Sequence, residues 1–370
     1  MLNRFSSALI GALMLCSCGS PEPILIGLAG PVSQERGVSM RLAAELAVSQ
    51  INAEGGVGGR PLQLVVRDDS AQSDAAIRVA QDLYDTPDLV AVIGHLTSGT
   101  TLAAASIYNG GSRPVVEISP SASSPEISSA GPYTFRTCPS DLVHGRRLAR
   151  WAREVLNTNR AAILYQNDDY GRGIRNAFSA SFAALEGVVA ADFPYVPELP
   201  DFEPLLSHVQ QRGRADVLLI AGTLAAAERI IPIMDSIGLD LQVMAGDGVT
   251  GLQNSSVNAF GTLISSAYLP DRPGQLNDEF VGAYRAAYNS LPDHRGAGAY
   301  DIVHLLARAI EEVGASRPAV RDYLAGVGLD SPAFEGVTGR IVFDANGDVP
   351  QKEVLIGVVA TTGLVTVRGQ

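Results

Sequence analysis

Short apolar segments alternate with amphipathic helical segments along most of this chain. Ile24–Ala29 and Leu89–Ile93 are apolar throughout, which predicts strands that are buried on both faces. Val38–Ile51 has apolar residues three and four positions apart and is followed by Gly55-Gly56, as expected for a helix and its stop signal. Repeated strand–helix units of this kind form parallel sheets covered by helices on both faces. The alternation therefore predicts an α/β fold.

The alternation runs twice, which predicts two lobes. The chain has 370 residues, more than a single hydrophobic core usually organises. One run ends near Tyr133–Thr137, and the strand–helix pattern then begins again with a helix over Leu142–Leu156. Each run is about 110–120 residues long, a common size for one domain. We therefore expect two doubly wound sheets.

The end of the chain departs from the alternation. Two predicted helices, Gln275–Tyr288 and Ala299–Val313, follow one another without a strand between them. Gly339–Phe343 and Glu353–Val359 are predicted to pair as a hairpin around Asn346-Gly347, a strong turn signal. These late segments are expected to complete the sheets that begin earlier in the chain.

The N-terminus has the features of a secretory signal. Arg4 precedes the apolar run Ala8–Leu15, which is too short for a permanent membrane-spanning helix. Leu15-Cys16-Ser17-Cys18 resembles a bacterial lipobox, in which Cys18 is lipidated and becomes the mature N-terminus. An ordinary cleaved signal with incidental cysteines is the alternative. With Cys18 lipidated, Cys138 is the lone thiol of the folded part, and we expect it to be a small buried hydrophobe.

The charge balance excludes nucleic acids as partners. The chain has 27 basic and 39 acidic residues, a formal net charge of −12, and its one lysine is Lys352. A protein that binds a nucleic-acid backbone needs a positive field, and no basic run is present.

Polar residues follow the predicted strands at the edge where open α/β sheets bind ligands. The segments 94–100 and 119–124, after strands of the first half, are rich in serine and threonine. The segments 166–170 and 246–248, after strands of the second half, carry acidic residues and a tyrosine. Hydroxyl and N–H groups at the start of a helix suit an anion, and an aspartate across a cleft suits a cation. The pattern predicts a pocket for a zwitterion.

Seven short motifs stand in order over more than 300 residues. They are Gly30-Pro31-Val32, the segment 52–60 (NAEGGVGGR), Asp68-Asp69, the segment 92–95, the segment 119–126, the segment 169–173, and Phe343-Asp344 with Gly347. Their order and spacing resemble those of the branched-chain amino acid substrate-binding proteins of ABC transporters. The resemblance implies the type I periplasmic binding protein fold, with two Rossmann-like lobes joined by three hinge crossings.

The resemblance also implies domain boundaries. Residues 1–18 are expected to be the lipoprotein signal peptide. The first lobe is expected to comprise residues 24–139 and 270–333, and the second lobe residues 140–269 and 334–370. The three crossings are expected near residues 138–141, 268–271 and 332–338.

Site residues are carried over by the same resemblance. Ser98 and Ser123 are implied to hold the α-carboxylate of a ligand with their hydroxyl and N–H groups. The main-chain carbonyl of Ser121 is implied to accept from the α-ammonium group, and Asp247 to pair with it. Tyr170 is implied to line the cleft from the second lobe.

Two departures from the family pattern concern the ligand's side chain. Thr223 stands where amino-acid binders of the family often have a tyrosine. The loop 33–37 has an extra residue and places the charged Glu35 and Arg36 near the expected side-chain pocket, together with Leu96 and Thr97. Leucine, isoleucine and valine are therefore in doubt, and a polar or charged amino acid or an amide is favoured.

Other chemistries have weaker support. Gly246–Gly251 reads G-x-G-x-x-G, but the segment after it is a poor amphipathic helix for a dinucleotide site. The alternating Asp344, Asn346 and Asp348 lack the glycine position of a calcium loop. The sequence has no G-x-S-x-G nucleophile motif, and its histidines lack metal-ligand spacing. No catalysis, cofactor or metal is expected.

The sequence thus predicts a monomeric extracytoplasmic solute-binding lipoprotein, held in the periplasm or cell envelope by a lipid on Cys18. It is expected to capture an amino acid or a related small polar solute and to deliver it to an ABC transporter permease. A sensor or interaction lipoprotein with the same fold is the alternative, since the sequence does not separate transport from sensing.

Overall fold

The computed structural model describes residues 21–212 and 215–367. The predicted signal peptide and Cys18 lie outside these residues, so both stay predictions. Within the described ranges, no helix has the length and apolar character needed to cross a membrane.

The first sheet has five parallel strands in the order β2-β1-β3-β4-β5. Its strands are β1 (Ile24–Gly30), β2 (Leu62–Asp68), β3 (Leu89–Ile93), β4 (Val116–Ser119) and β5 (Thr134–Arg136). The intervening helices are α1 (Glu35–Ala53), α2 (Ser73–Asp85) and α3 (Ser98–Tyr108). Every residue of β3 is buried, as its unbroken apolar sequence predicts for a strand covered on both faces.

The second run of the alternation forms another parallel sheet, in the order β10-β9-β8-β6-β7. Its strands are β6 (Arg160–Gln166), β7 (Val188–Tyr195), β8 (Val217–Ala221), β9 (Gln242–Ala245) and β10 (Leu263–Ser266). Its helices are α4 (Asp141–Arg150), which continues as a π-helical turn to Val155, α5 (Asp169–Ala184), α6 (Glu203–Gln211) and α7 (Leu224–Ser236). Helices α4 and α5 approach closely at Gly145, where a Cβ atom would lie 2.5 Å from that of Ala177.

The late helices return to the first lobe. They are α8 (Gln275–Tyr288), α9 (His294–Val313) and α10 (Arg317–Ala325). Leu306 of α9 and Val320 of α10 share one hydrophobic core with Ile26 and Ile93 of the first sheet. The first lobe is therefore built from two separate stretches of chain, which places the N-termini of α1 and α9 side by side.

The predicted hairpin between Gly339–Phe343 and Glu353–Val359 is wrong. The observed strands are β11 (Phe334–Gly336), β12 (Gly339–Ile341), β13 (Leu355–Ala360) and β14 (Gly363–Thr366). β12 pairs with β11, whereas β13 pairs antiparallel with β10 and β14 and extends the second sheet to seven strands. The Asn346-Gly347 signal makes only a local turn, because the Asp344 carboxylate accepts hydrogen bonds from the N–H groups of Asn346 and Asp348.

The structure places the third crossing after Val349, later than the predicted 332–338. Phe343 and Val349 belong to the core of the first lobe, whereas Leu355 packs against a core of the second. The ring of Phe343 packs edge-to-face on Phe135 of β5, with centroids 5.1 Å apart. Residues 334–349 therefore belong to the first lobe, a partnership that the local sequence does not reveal.

Candidate functional site

A cleft of about 1130 Å3 lies between the lobes, beyond the C-terminal ends of parallel strands from both sheets. This is the position expected for a ligand site in open α/β sheets. Nine of the ten predicted ligand and side-chain-pocket residues line the cleft: Glu35, Arg36, Leu96, Thr97, Ser98, Ser121, Tyr170, Thr223 and Asp247. The tenth, Ser123, is fully buried and does not line it.

Ser98 is the first residue of α3 and faces the cleft from the first lobe. The preceding Thr97 caps the helix by accepting a hydrogen bond from the N–H of Thr100. Ser98 Oγ accepts from the N–H of Ser124 at 3.1 Å, which leaves the hydroxyl proton of Ser98 available to a ligand. A hydroxyl donor at the positive end of a helix suits a carboxylate.

The loop after β4 places its two predicted serines differently. Ser119 Oγ accepts from the N–H groups of Ser121 and Ala122, and this turn directs Ser121 to the cleft. Ser121 Oγ lies 3.3 Å from Nε2 of His294. Ser123 lies behind the wall, where its carbonyl accepts from the N–H of Asp141 at 2.8 Å. A direct ligand contact of Ser123 stays a prediction that its burial does not favour.

Asp247 presents a carboxylate from the second lobe. It is 2% exposed, and Oδ1 accepts a hydrogen bond of 2.9 Å from the Tyr170 hydroxyl. The Tyr170 oxygen in turn accepts from the N–H of Gly248 at 2.8 Å. Oδ2 of Asp247 has no hydrogen-bond partner within the described residues, while Nε2 of His294 lies at 3.6 Å and that of His144 at 3.9 Å. Asp247 therefore keeps one acceptor for a cationic group.

The glycines around Asp247 make room for Tyr170. A Cβ atom on Gly248 would lie 2.8 Å from the Tyr170 ring. The residues that follow form short 3-10 turns, Asp247–Val249 and Leu252–Asn254, instead of a helix. The G-x-G-x-x-G segment is thus followed by 3-10 turns and not by the α-helix that opens a dinucleotide site in Rossmann folds.

The surroundings of Asp247 set its protonation state. Burial opposes ionisation of Asp247, but His144, His294, Arg295 and the Tyr170 hydroxyl outweigh it, and its pKa is lowered. Burial lowers the pKa of His144, and burial together with Arg295 lowers the pKa of His294 to about 4. Both imidazoles are therefore neutral near pH 7, and Asp247 is ionised.

His294 is expected to make the protein sensitive to acid. Its pKa is about 4 in the fold against an ordinary 6.5, so the unfolded state binds the extra proton between these values. We expect the free energy of unfolding to fall as the pH drops from about 6.5 towards 4, with His294 contributing up to about 1.4 kcal/mol per pH unit. His294→Gln should remove this contribution in urea unfolding measured across the window.

His208→Gln is the matched control, since His208 is exposed on α6. It should retain the acid sensitivity of the original protein. An unchanged pH slope in His294→Gln would contradict the assignment.

Asp168 lines the cleft, although the sequence pair Asp168-Asp169 is typical of a solvated loop. Asp168 caps α5 by accepting from the N–H of Gly171 at 2.8 Å, and the Gln166 amide also donates to it. Asp169 instead pairs with Arg172 at 2.7 Å. Aspartate is a preferred N-cap residue, so Asp168 directly before the helix is the sequence signal for this cap.

His294 and Arg295 are site residues that sequence reasoning missed. The helix predicted from Ala299 begins at His294 and is capped by Asp293, so both side chains lie in its first turn. Arg295 is 7% exposed, pairs with Asp293 at 2.8 Å and donates to the Asp247 carbonyl at 3.4 Å, which links the lobes. An aspartate preceding a helical pattern is a capping signal that would have extended the prediction.

The remaining candidates lie outside the cleft. His95 is buried, with Nδ1 2.6 Å from Asp69 and Nε2 3.2 Å from the Tyr108 hydroxyl. The Cys138 thiol is buried and contacts the Ala122 carbonyl at 3.3 Å, as expected for a small buried side chain. In the ranges that the structure covers, no group of three or more His, Cys, Asp or Glu side chains is placed to hold a metal ion.

Two α/β lobes with a polar cleft between their strand ends define a two-lobed solute-binding protein. The profile of the periplasmic binding protein family matches residues 23–363, and the chain belongs to this family. The resemblance noted in the sequence and the predicted two-lobed α/β fold are therefore confirmed.

Named relatives and solved structures match almost the whole chain. The leucine-, isoleucine-, valine-, threonine- and alanine-binding protein of Pseudomonas aeruginosa is 28% identical over 364 residues, which cover 94% of this chain and 93% of that protein. An ABC transporter substrate-binding protein from Desulfitobacterium hafniense, in complex with leucine, is 33% identical; the match covers 94% of this chain and 100% of that one, with a TM-score of 0.81. The branched-chain amino acid transporter substrate-binding protein LivJ from Streptococcus pneumoniae, in complex with isoleucine, is 28% identical; the match covers 94% of this chain and 99% of that one, with a TM-score of 0.84.

Proposed function

We propose that this protein captures an α-amino acid in the cleft and delivers it to the permease of an ABC transporter. The observation that carries the proposal is that Ser98, a hydroxyl donor at a helix N-terminus, lines the cleft opposite Asp247, whose buried Oδ2 accepts no hydrogen bond from a described residue. The α-carboxylate binds at Ser98 and the α-ammonium group at Asp247, with Ser121 beside them. The relatives named for amino acids support this assignment.

Contacts of this kind account for the affinity that the proposed capture needs. A hydrogen bond to a charged group contributes about 1.5–3 kcal/mol. Four or five of them, less the costs of ordering and desolvation, reach roughly the 8 kcal/mol of a micromolar complex. Because the carboxylate and ammonium sites lie on different lobes, a bound ligand favours the closed arrangement over the open one. Closure then gives the permease a surface by which it recognises the loaded form.

The remaining features of the proposal concern the setting. A lipid on Cys18 holds the protein in the cell envelope, where it works as a monomer without a cofactor. Thr223 and Tyr170 line the second-lobe wall, and Leu96 and Thr97 the first-lobe wall. The protein binds and releases its ligand unchanged, so no catalysis is involved.

A ligand screen tests the proposal. Thermal unfolding of the intact protein is measured with each of the twenty amino acids, with small amides and with urea. A ligand at 100 times its dissociation constant stabilises by about 2.7 kcal/mol, which clearly raises the unfolding midpoint. We expect a shift with a restricted class of L-amino acids. No shift with any α-amino acid would contradict the proposal and favour a sensor or interaction lipoprotein.

A further inference from the structure

Two arginines converge in the cleft next to the proposed zwitterion site. Arg36 is the second residue of α1 and Arg295 the second residue of α9, and both line the cleft. The two helix starts pack closely, since a Cβ atom on Gly296 would lie 2.9 Å from the carbonyl oxygen of Ser39. Their positive helix ends therefore face the same region as the two guanidinium groups.

One of these guanidinium groups, that of Arg36, has no counter-ion in the part of the chain that the structure describes. Arg295 is paired with Asp293 and bonded to the Asp247 carbonyl. Arg36 is half-buried and makes no hydrogen bond or ion pair with any described residue. Burial, and then the like charge of Arg295, lower the pKa of Arg36. An unpaired cation beside a second cation in a cleft is unfavourable until an anion arrives.

The acidic residues near Arg36 are mostly engaged elsewhere. The Asp69 carboxylate holds His95, and Asp168 caps α5 and accepts from Gln166. Glu35 is exposed. Among the residues that the structure describes, no acidic side chain therefore lies within ion-pairing distance of the Arg36 guanidinium.

We propose that the ligand carries a second carboxylate, as an acidic amino acid does, and that Arg36 is the residue that selects it. The inference rests on the proposed function, because the α-groups are assigned to Ser98 and Asp247. The side-chain carboxylate of the ligand pairs with the Arg36 guanidinium, with Arg295 adding to the positive field. An aliphatic side chain would cover Arg36 without pairing it, and desolvation of the unpaired charge would disfavour such a ligand.

Calorimetric titration of the intact protein with L-glutamate, L-aspartate, L-glutamine and L-leucine tests the proposal. We expect an acidic amino acid to bind at least about tenfold more tightly than L-glutamine. This difference in affinity corresponds to one charge-assisted hydrogen bond. Arg36→Gln should weaken binding of the acidic ligand by about 10- to 100-fold and leave L-glutamine nearly unchanged. Arg36→Lys, which keeps the charge, should retain much of the preference.

Arg41→Gln is the matched control. Arg41 lies on the same helix, pairs with Glu45 at 3.0 Å and is outside the cleft. The substitution removes the same charge as Arg36→Gln. If Arg41→Gln leaves the ratio of the affinities for the acidic ligand and for L-glutamine unchanged, the effect of Arg36→Gln does not come from net charge alone. Thermal unfolding of each variant without ligand verifies that it folds.

The outcomes separate the two proposals. Tighter binding of L-leucine or L-glutamine than of both acidic ligands would overturn the role of Arg36 and leave amino-acid capture intact. The role would also be overturned if Arg36→Gln kept the original ratio of the affinities for the acidic ligand and for L-glutamine. That result is expected if Arg36 pairs with Asp168 when the lobes close, instead of with the ligand. If none of the four amino acids binds, the result would count against the α-amino acid site itself. So would binding of glutarate, which lacks the ammonium group, as tightly as L-glutamate.

Discussion

Asp247→Asn is expected to weaken amino-acid binding by at least about 100-fold. Asparagine matches the size of aspartate, but its amide carries no charge to pair with the α-ammonium group. The ligand's cation would then be desolvated without a counter-ion, and breaking a buried ion pair in this way costs about 3–5 kcal/mol. Asp247 is 2% exposed and its Oδ2 accepts no hydrogen bond from a described residue, so little water reaches this position to compensate for the lost charge. Calorimetric titration with the ligand found by the screen measures the loss.

Asp235→Asn provides the control for this substitution. Asp235 is exposed on α7 of the same lobe, so the variant changes net charge equally without touching the cleft. Its affinity should equal that of the original protein. A loss of less than about tenfold in Asp247→Asn, below the value of one charge-assisted hydrogen bond, would show that the ammonium group binds elsewhere.

Arg136→Met is expected to lower the free energy of unfolding by about 3–5 kcal/mol, because it leaves a partner charge uncompensated. Arg136 is 1% exposed, and its Nε lies 2.6 Å from the Asp348 carboxylate. Its other nitrogens donate to the Ser124 carbonyl at 2.8 Å and to Ser128 Oγ at 2.9 Å. Arg136 belongs to β5, so its contact with Asp348 attaches residues 344–349, which precede the third crossing, to the first lobe. Urea unfolding at pH 7 measures the effect.

A surface ion pair close in sequence is the matched control. Arg340 and Glu335 lie 3.7 Å apart with side chains 65% and 66% exposed, so Arg340→Met should cost less than about 1 kcal/mol. If both variants lost equally little free energy of unfolding, the result would contradict the attachment of residues 344–349 to the first lobe. Arg136→Met should also weaken ligand binding moderately, since the loop it holds carries Ser124, whose N–H bonds to Ser98.

Much of the site was predictable because parallel strands end at one edge. Ser98, Tyr170 and Asp247 follow the C-terminal ends of β3, β6 and β9, and all three line the cleft. Ser123 was the exception, because a predicted loop gives the order of its residues but not which of them turns inward. Ser119 Oγ accepts hydrogen bonds from the N–H groups of Ser121 and Ala122, and this turn directs Ser121 to the cleft.

Sequence reasoning missed His294 and Arg295 and misplaced the third crossing between the lobes for the same reason. Arg295 lies nearly fifty residues from Asp247 in the sequence, and only the packing of α9 against α1 places it in the cleft. Asn346-Gly347 is a strong local turn signal, yet the strands on either side pair with distant partners. Local propensity identifies a turn, but it does not state which segments the turn connects.

The sequence by itself determined the α/β alternation, the two sheets and the polar strand ends, because these follow from the periodicity of apolar residues and from turn chemistry. Only the tertiary structure decided which late segments complete the first lobe, that Asp247 Oδ2 accepts no hydrogen bond from a described residue, and that Arg36 and Arg295 share one region of the cleft. These properties arise from contacts between residues far apart in the chain. Such contacts depend on how whole elements pack, which no short stretch of sequence encodes.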